Sequence, residues 1–277
     1  IAMSEDAQDR LSSRLWLWGH PAGAHDGRWE LPPSSSQITP ADAAAYLGID
    51  QMIMVRFAGQ PQPPYDPHVE AMRDLRRVVW SVVGDAGTQD APDEVLTIGD
   101  LASRFGNIDG VMMDDFFDRP AEDGAKQLAA HTPDELARMK DLMAARAGRA
   151  LDLWVVLYGH QLELPVADHL AQCDVITFWS WTAEQLGQTR QRLEQISHMA
   201  PTARRVLGCY MYDYGNSREM PVAAMEAQCE EGLELLREGR VDGLIFLASC
   251  ICDMSLPAVE WTRDWIAAHR DDLLGPS

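Results

Sequence analysis

The chain has 277 residues, 46% hydrophobic and 24% charged, which is enough for one large core and within the ordinary size of a single α/β barrel. Its formal net charge of -20, from 43 acidic against 23 basic side chains, disfavours nucleic acid and anionic membrane surfaces as partners and suits a neutral substrate. The apolar stretches are of strand length and broken by Gly, Asp or Arg, so nothing resembles a spanning helix of about 20 apolar residues, and a soluble protein is expected.

Residues Ile1 to Arg10 are polar and lack the basic start and apolar core of a secretory signal. The five cysteines, Cys173, Cys209, Cys229, Cys250 and Cys252, are odd in number and read as buried free thiols. Cys250 and Cys252 lack zinc-site spacing and a second pair. A cytoplasmic home is the expectation, and a leader removed ahead of this sequence would make it secreted or periplasmic.

Eight apolar runs follow one another: Leu15 to His20, Gln51 to Phe57, Arg77 to Asp85, Gly110 to Asp115, Leu153 to Gln161, Asp174 to Trp181, Arg205 to Asp213 and Gly243 to Asp253. They are nearly continuous in apolar content, as strands covered on both faces are. Helix signals lie between them. Thr39-Pro40-Ala41-Asp42 and Thr132-Pro133-Asp134-Glu135 each put a capping Thr before Pro at the first helical position, and the second helix ends near Gly148. Thr182 to Met199, Pro221 to Arg237 and Leu256 to His269 read likewise. The alternation predicts a single (β/α)8 barrel over 1–277, with a doubly wound open sheet as second choice. Pro21 to Ser36 and Gln60 to Pro67 are longer than minimal connections and are expected to cross the barrel mouth.

In such a barrel the active site follows the carboxyl ends of the strands. Run one ends with Trp18 and His20, and His25 lies just beyond. Arg56 closes run two, where it can meet an acidic group of a substrate or, more commonly, a protein carboxylate. Run four ends in Asp114 and Asp115. Alternation of side chains aims Asp114 into the mouth with Met112 and Phe116 on the same face, and Asp115 is the substitute if the parity is reversed. Run five ends in Tyr158, His160 and Gln161, with Glu163 a lesser acid, and run six in Trp179 and Trp181. Run seven places Asp213 among Tyr210, Tyr212 and Tyr214, a setting that raises a carboxyl pKa toward that of a general acid. Aromatic faces suit the C–H faces of pyranose rings, so Tyr158, His160, Gln161, Trp179, Trp181 and Tyr210 are candidate sugar contacts, whereas Trp16 and Trp154 are expected in the core.

Asp109-Gly110-Val111-Met112-Met113-Asp114-Asp115-Phe116 resembles the chitinase-type pattern DGxDxDxE in its first three residues and at Asp114. More loosely, the whole rhythm resembles the barrel-fold glycoside hydrolases. Met112 replaces the first inner Asp and Phe116 the catalytic Glu, so only the position of Asp114 transfers, without the substrate or the substrate-assisted mechanism. P-loop, dinucleotide-binding, HExxH and GxSxG signatures are absent from the sequence.

The reading is a glycoside hydrolase acting on an oligo- or polysaccharide through two carboxylates, Asp114 and Asp213, with no cofactor or metal. A gap of about 5 Å between them implies retention and about 6.5 to 9.5 Å inversion. The alternatives are a metal-dependent isomerase, epimerase or aldolase with Asp114, Asp115, His160 and Asp213 as ligands, and a non-catalytic carbohydrate-binding barrel.

Overall fold

The structure is a computed structural model that describes residues 10–33, 35–82, 91–120 and 126–275. The expected strand end at Asp85 and nearly all of the polar Ile1 to Arg10 segment lie outside the described residues. Eight parallel strands close into a barrel: β1 Leu15–Gly19, β2 Gln51–Met54, β3 Arg77–Ser81, β4 Ile108–Met113, β5 Asp152–Tyr158, β6 Val175–Trp179, β7 Arg204–Tyr210 and β8 Gly243–Leu247. They stand in chain order round the ring, and β8 closes on β1 with Leu15 opposite Leu244 and Trp18 opposite Leu247. The helices are α1 Pro40–Leu47, α2 Asp66–Ala71, α3 Ala91–Arg104, α4 Pro133–Ala147, α5 Ala167–Leu170, α6 Thr189–Met199, α7 Val222–Arg237 and α8 Pro257–His269. A connection from each strand to its parallel neighbour needs such a crossover, which is why the apolar runs alternate with capped helices.

The caps work as their residue types dictate. Thr39 accepts a hydrogen bond from the Asp42 N–H at 3.1 Å. Thr132 and Glu135 exchange bonds in a capping box, and Gly148 ends α4 in the left-handed region at φ 70°, where a side chain would be strained. The strands are buried almost throughout because barrel contents cover one face and helices the other. Trp16 and Trp154 meet edge to face at 4.8 Å between ring centroids inside this core. All five cysteines are buried and free, and burial pushes the Cys173 and Cys209 thiols up to about 12, so none is poised as a nucleophile.

Two short antiparallel hairpins interrupt the expected strand and helix rhythm. One pairs Phe117–Pro120 with Lys126–Ala129 after β4. The other pairs Tyr212–Asp213 with Arg218–Glu219 after β7, so run seven bends out of the barrel after Tyr210 instead of extending through Asp213. A 3-10 turn, Ala183–Gln188, occupies the start of the helix expected from Thr182. Among the described residues no helix is long and apolar enough to cross a membrane.

Candidate active site

At the carboxyl ends of the strands lies a cavity of about 90 Å³ lined by Trp18, His20, His25, Trp29, Phe57, Asp114, Tyr158, Trp179, Trp181, Tyr210, Tyr214 and Leu247. Strand-end position brings most of these together, and one glycine makes room for the largest. A Cβ on Gly208 of β7 would come within 2.0 Å of the Trp179 ring, so this close approach requires glycine. The Trp179 indole N–H donates to Thr177 Oγ1 at 2.9 Å, which fixes the ring in the floor against Trp18 at 5.2 Å. Trp181, 40% exposed, stands edge-on to both Tyr158 and Tyr210.

Among the described residues that line the cavity, Asp114 is the one carboxylate. Its Oδ1 accepts from the Asp115 N–H at 2.9 Å. Asp115 adopts φ 44°, a left-handed conformation that Asp tolerates better than most residues, and this turn ends the strand alternation. Phe116 therefore does not share the cavity face with Asp114; it is fully buried against Phe117, His131 and His169. The same turn presents Asp115 to Tyr158, whose hydroxyl donates to Asp115 Oδ1 at 3.0 Å. Burial first, and the Asp115 charge second, push the Asp114 carboxyl well above the usual carboxylate range. Burial and the two acids likewise raise the Tyr158 and Tyr210 hydroxyls well above theirs, so both tyrosines are hydrogen-bond donors at neutral pH.

The histidines of the first strand end serve as neutral groups. Burial holds His20 well below its ordinary value and, with Arg28 nearby, brings His25 down to about 3. His20 is anchored by its backbone, whose N–H donates to Ser249 Oγ at 2.8 Å and whose carbonyl accepts from the same hydroxyl at 3.1 Å. His25 Nδ1 meets the Tyr214 hydroxyl at 3.0 Å. Among the described residues His20 Nδ1 has no hydrogen-bond partner.

Other candidate residues stand apart from the cavity. Asp213 is buried, but its Oδ2 accepts from Arg218 Nε at 2.9 Å and from Asn216 Nδ2 at 2.8 Å, across the hairpin after β7. It is directly opposite Arg218 in the hairpin register, so cross-strand pairing has claimed the side chain that sequence position alone aims at the mouth. Exchanging Asp213 for Asn should accordingly lower the melting temperature by about 2–8 °C, from weakened charge-assisted hydrogen bonds, and leave ligand binding in the cavity within about twofold; thermal melts paired with sugar titrations measure both. Arg56 is buried in an ion pair with Glu94 of α3 and does not line the cavity, the commoner of the two fates its sequence position allows. Gln161 uses both ends of its amide internally, accepting from the Tyr158 N–H at 3.0 Å and donating to the Phe117 carbonyl at 3.2 Å, so it holds the end of β5 to the segment after β4. His160 is exposed and stacks on Tyr158 at 5.6 Å from outside the lining, and Glu163 is exposed.

Trp29 and Phe57, which sequence position alone does not single out, also line the cavity, as does Tyr214, the chain neighbour of Asp213. The signals were Trp29 within the long loop after β1 and Phe57 at the end of run two. Among the described residues no cluster of three or more His, Cys, Asp or Glu could hold a metal ion, so the ligand set Asp114, Asp115, His160 and Asp213 does not assemble.

The chain shares its fold with barrel-fold glycoside hydrolases. A glycoside hydrolase family 5 enzyme from Prevotella bryantii, solved with a xyloglucan tetradecasaccharide, superposes with a TM-score of 0.55 at 13% identity, over 95% of this chain and 99% of that one. A putative alpha-L-fucosidase from Bacteroides thetaiotaomicron gives 0.55 at 10% identity over 83% and 86% of the two chains. A xylanase-alpha-amylase inhibitor protein solved with trehalose also gives 0.55, at 12% identity over 90% and 97%. At these identities the likeness shows the barrel alone. No protein-family model matches the chain, and no curated protein matches it in sequence.

Proposed function

We propose that the chain is a glycoside hydrolase whose proton donor is Asp114. The observation that carries this reading is a carboxyl group whose pKa is raised by desolvation in an aromatic-walled cavity at the carboxyl end of the barrel, next in the chain to a second carboxyl group. A pair of acids whose environments differ in this way divides into an acid and a charged partner. Asp114 would protonate the glycosidic oxygen as the bond to the anomeric carbon breaks. Asp115, outside the lining and bonded to the Tyr158 hydroxyl that belongs to it, would act through Tyr158 and Asp114, as a positioning residue whose charge favours the developing oxocarbenium ion. Trp179, Trp181 and Tyr210 would hold the apolar faces of the sugar. Asp114 and Asp115 take the place of the expected pair of Asp114 and Asp213, because Asp213 is engaged by Arg218 and Asn216.

The second reading is a carbohydrate-binding barrel without turnover. It draws on Asp114 being the one carboxylate among the described lining residues and on the fold shared with an inhibitor protein solved with trehalose. A screen of the purified protein against oligosaccharides and aryl glycosides, with products read by mass and with chelator in parallel, separates the readings. Chelator-resistant release of sugar is expected. Binding without product would remove the hydrolase reading, and chelator-sensitive isomerisation would replace it with a metal enzyme.

A further inference from the structure

The cavity walls bear on how a sugar chain would enter. Lining residues come from the ends of seven of the eight barrel strands: Trp18 from β1, Phe57 after β2, Asp114 after β4, Tyr158 from β5, Trp179 from β6, Tyr210 from β7 and Leu247 from β8. Above them the loop after β1 is fastened across β8 to the segment after β7. The Tyr212 hydroxyl donates to the Trp29 carbonyl at 2.7 Å, and His25 meets Tyr214 at 3.0 Å. The loop is pinned again at its far end, where the Ser36 N–H donates to Asp26 at 3.1 Å and the Gln37 and Ile38 N–H groups donate to Asp253 at 2.8 and 3.0 Å.

A wall so tied obstructs passage of a polymer over that side, whereas internal cleavage needs a groove open at both ends. The cavity is also small: at about 30 Å³ of liquid volume for each water, its 90 Å³ is the room of roughly three waters, which leaves no space for a second sugar ring. The described lining residues also include no Lys or Arg, and the two histidines among them are neutral. Arg28 stacks over the Phe57 ring at 4.8 Å without itself lining the cavity. A carboxylate carried on a ring seated in the cavity would lose part of its water and meet no cation among the described lining residues.

We infer that the cavity takes a single, uncharged, chain-terminal sugar residue, so that the hydrolase proposed above acts from the end of a glycan and rejects uronic acids. This rests on the glycosidase reading for its catalytic half and on the cavity alone for its binding half, and the two are tested separately. Tryptophan fluorescence of the wild-type protein is titrated with methyl glycosides of glucose, galactose, mannose, fucose and xylose, and with methyl glucuronide and galacturonide. At least one neutral glycoside should bind roughly 100-fold or more tightly than either uronide. Trp181→Ala, a change at a partly exposed position, should weaken that binding about tenfold or more while the melting temperature holds.

In parallel, oligosaccharides labelled at the reducing end are digested and followed by mass, and they should lose one residue at a time from the unlabelled end. Equal binding of uronides, no binding of any neutral glycoside, binding unchanged in Trp181→Ala, or internal fragments as first products would each overturn the inference. An enzyme that cleaves nothing yet binds neutral sugars selectively would end the hydrolase reading and leave the cavity assignment standing.

Discussion

Replacing Asp114 with Asn is expected to reduce kcat by about 10²–10⁴-fold, the usual worth of a general acid. The loss should be largest on alkyl glycosides, whose leaving oxygen needs the proton, and smaller on 4-nitrophenyl glycosides, whose leaving group departs as an anion. The fold should survive, since Asn is nearly isosteric and keeps an acceptor for the Asp115 N–H. Its melting temperature should even exceed that of the wild type at neutral pH. The sign follows from linkage: the folded-state pKa of Asp114 lies above its unfolded value near 3.9. The stability due to this proton is fully present below about pH 4 and is lost as pH rises through the folded pKa, and Asn has no such proton to lose. Wild-type activity should fall over the same alkaline approach as the acid deprotonates. Thermal melts and kcat against pH for the two proteins measure both effects; equal losses on alkyl and aryl glycosides would count against a proton donor.

Asp115→Asn should be nearly as damaging, by about 100-fold or more in kcat, because it removes the charge that favours the developing cation while keeping the hydrogen bond from Tyr158. Asn also accepts the left-handed backbone at φ 44°, so the turn should not be lost. Burial is the larger cause of the raised Asp114 pKa, and the Asp115 charge is the second. Neutralising Asp115 should therefore move the alkaline limb of the residual activity to lower pH without abolishing it. The pH profile of Asp115→Asn tests this directly. A limb that stays in place would show that the two carboxyls do not sense each other, and the division of labour between them would fall.

The end of β4 gives the two acids different surroundings. Asp114 follows the last residue of β4, where the backbone still carries side chains to alternate faces, and it reaches the cavity enclosed by Trp18, Trp179 and Tyr210. Asp115 is one residue further, beyond the left-handed turn, and its partner is a hydroxyl on β5. Two chemically identical neighbours thus meet different surroundings because the strand ends between them.

Much of this was written in local sequence. Continuous apolar runs alternating with helix signals put a parallel barrel first and a doubly wound open sheet second, because strands buried on both faces and crossovers of that length permit few other arrangements. Strand-end position also located Asp114, Trp18, His20, Tyr158, Trp179, Trp181 and Tyr210 at the mouth, since arrival there depends only on strand length and the ring. The tertiary structure decided what happens once a strand has ended. There the backbone direction is set by partners far along the chain: Arg218 turns Asp213 into a hairpin pair, Glu94 draws Arg56 to α3, and the Phe117 carbonyl occupies Gln161. The loop after β1 brings Trp29 and His25 over the cavity through contacts with Tyr212 and Tyr214 nearly 190 residues away, at separations of 183 and 189. Alternation and capping are properties of a few consecutive residues and can be read from them; the aim of a loop side chain is fixed by distant groups competing for its hydrogen bonds, and only the folded chain brings those groups together.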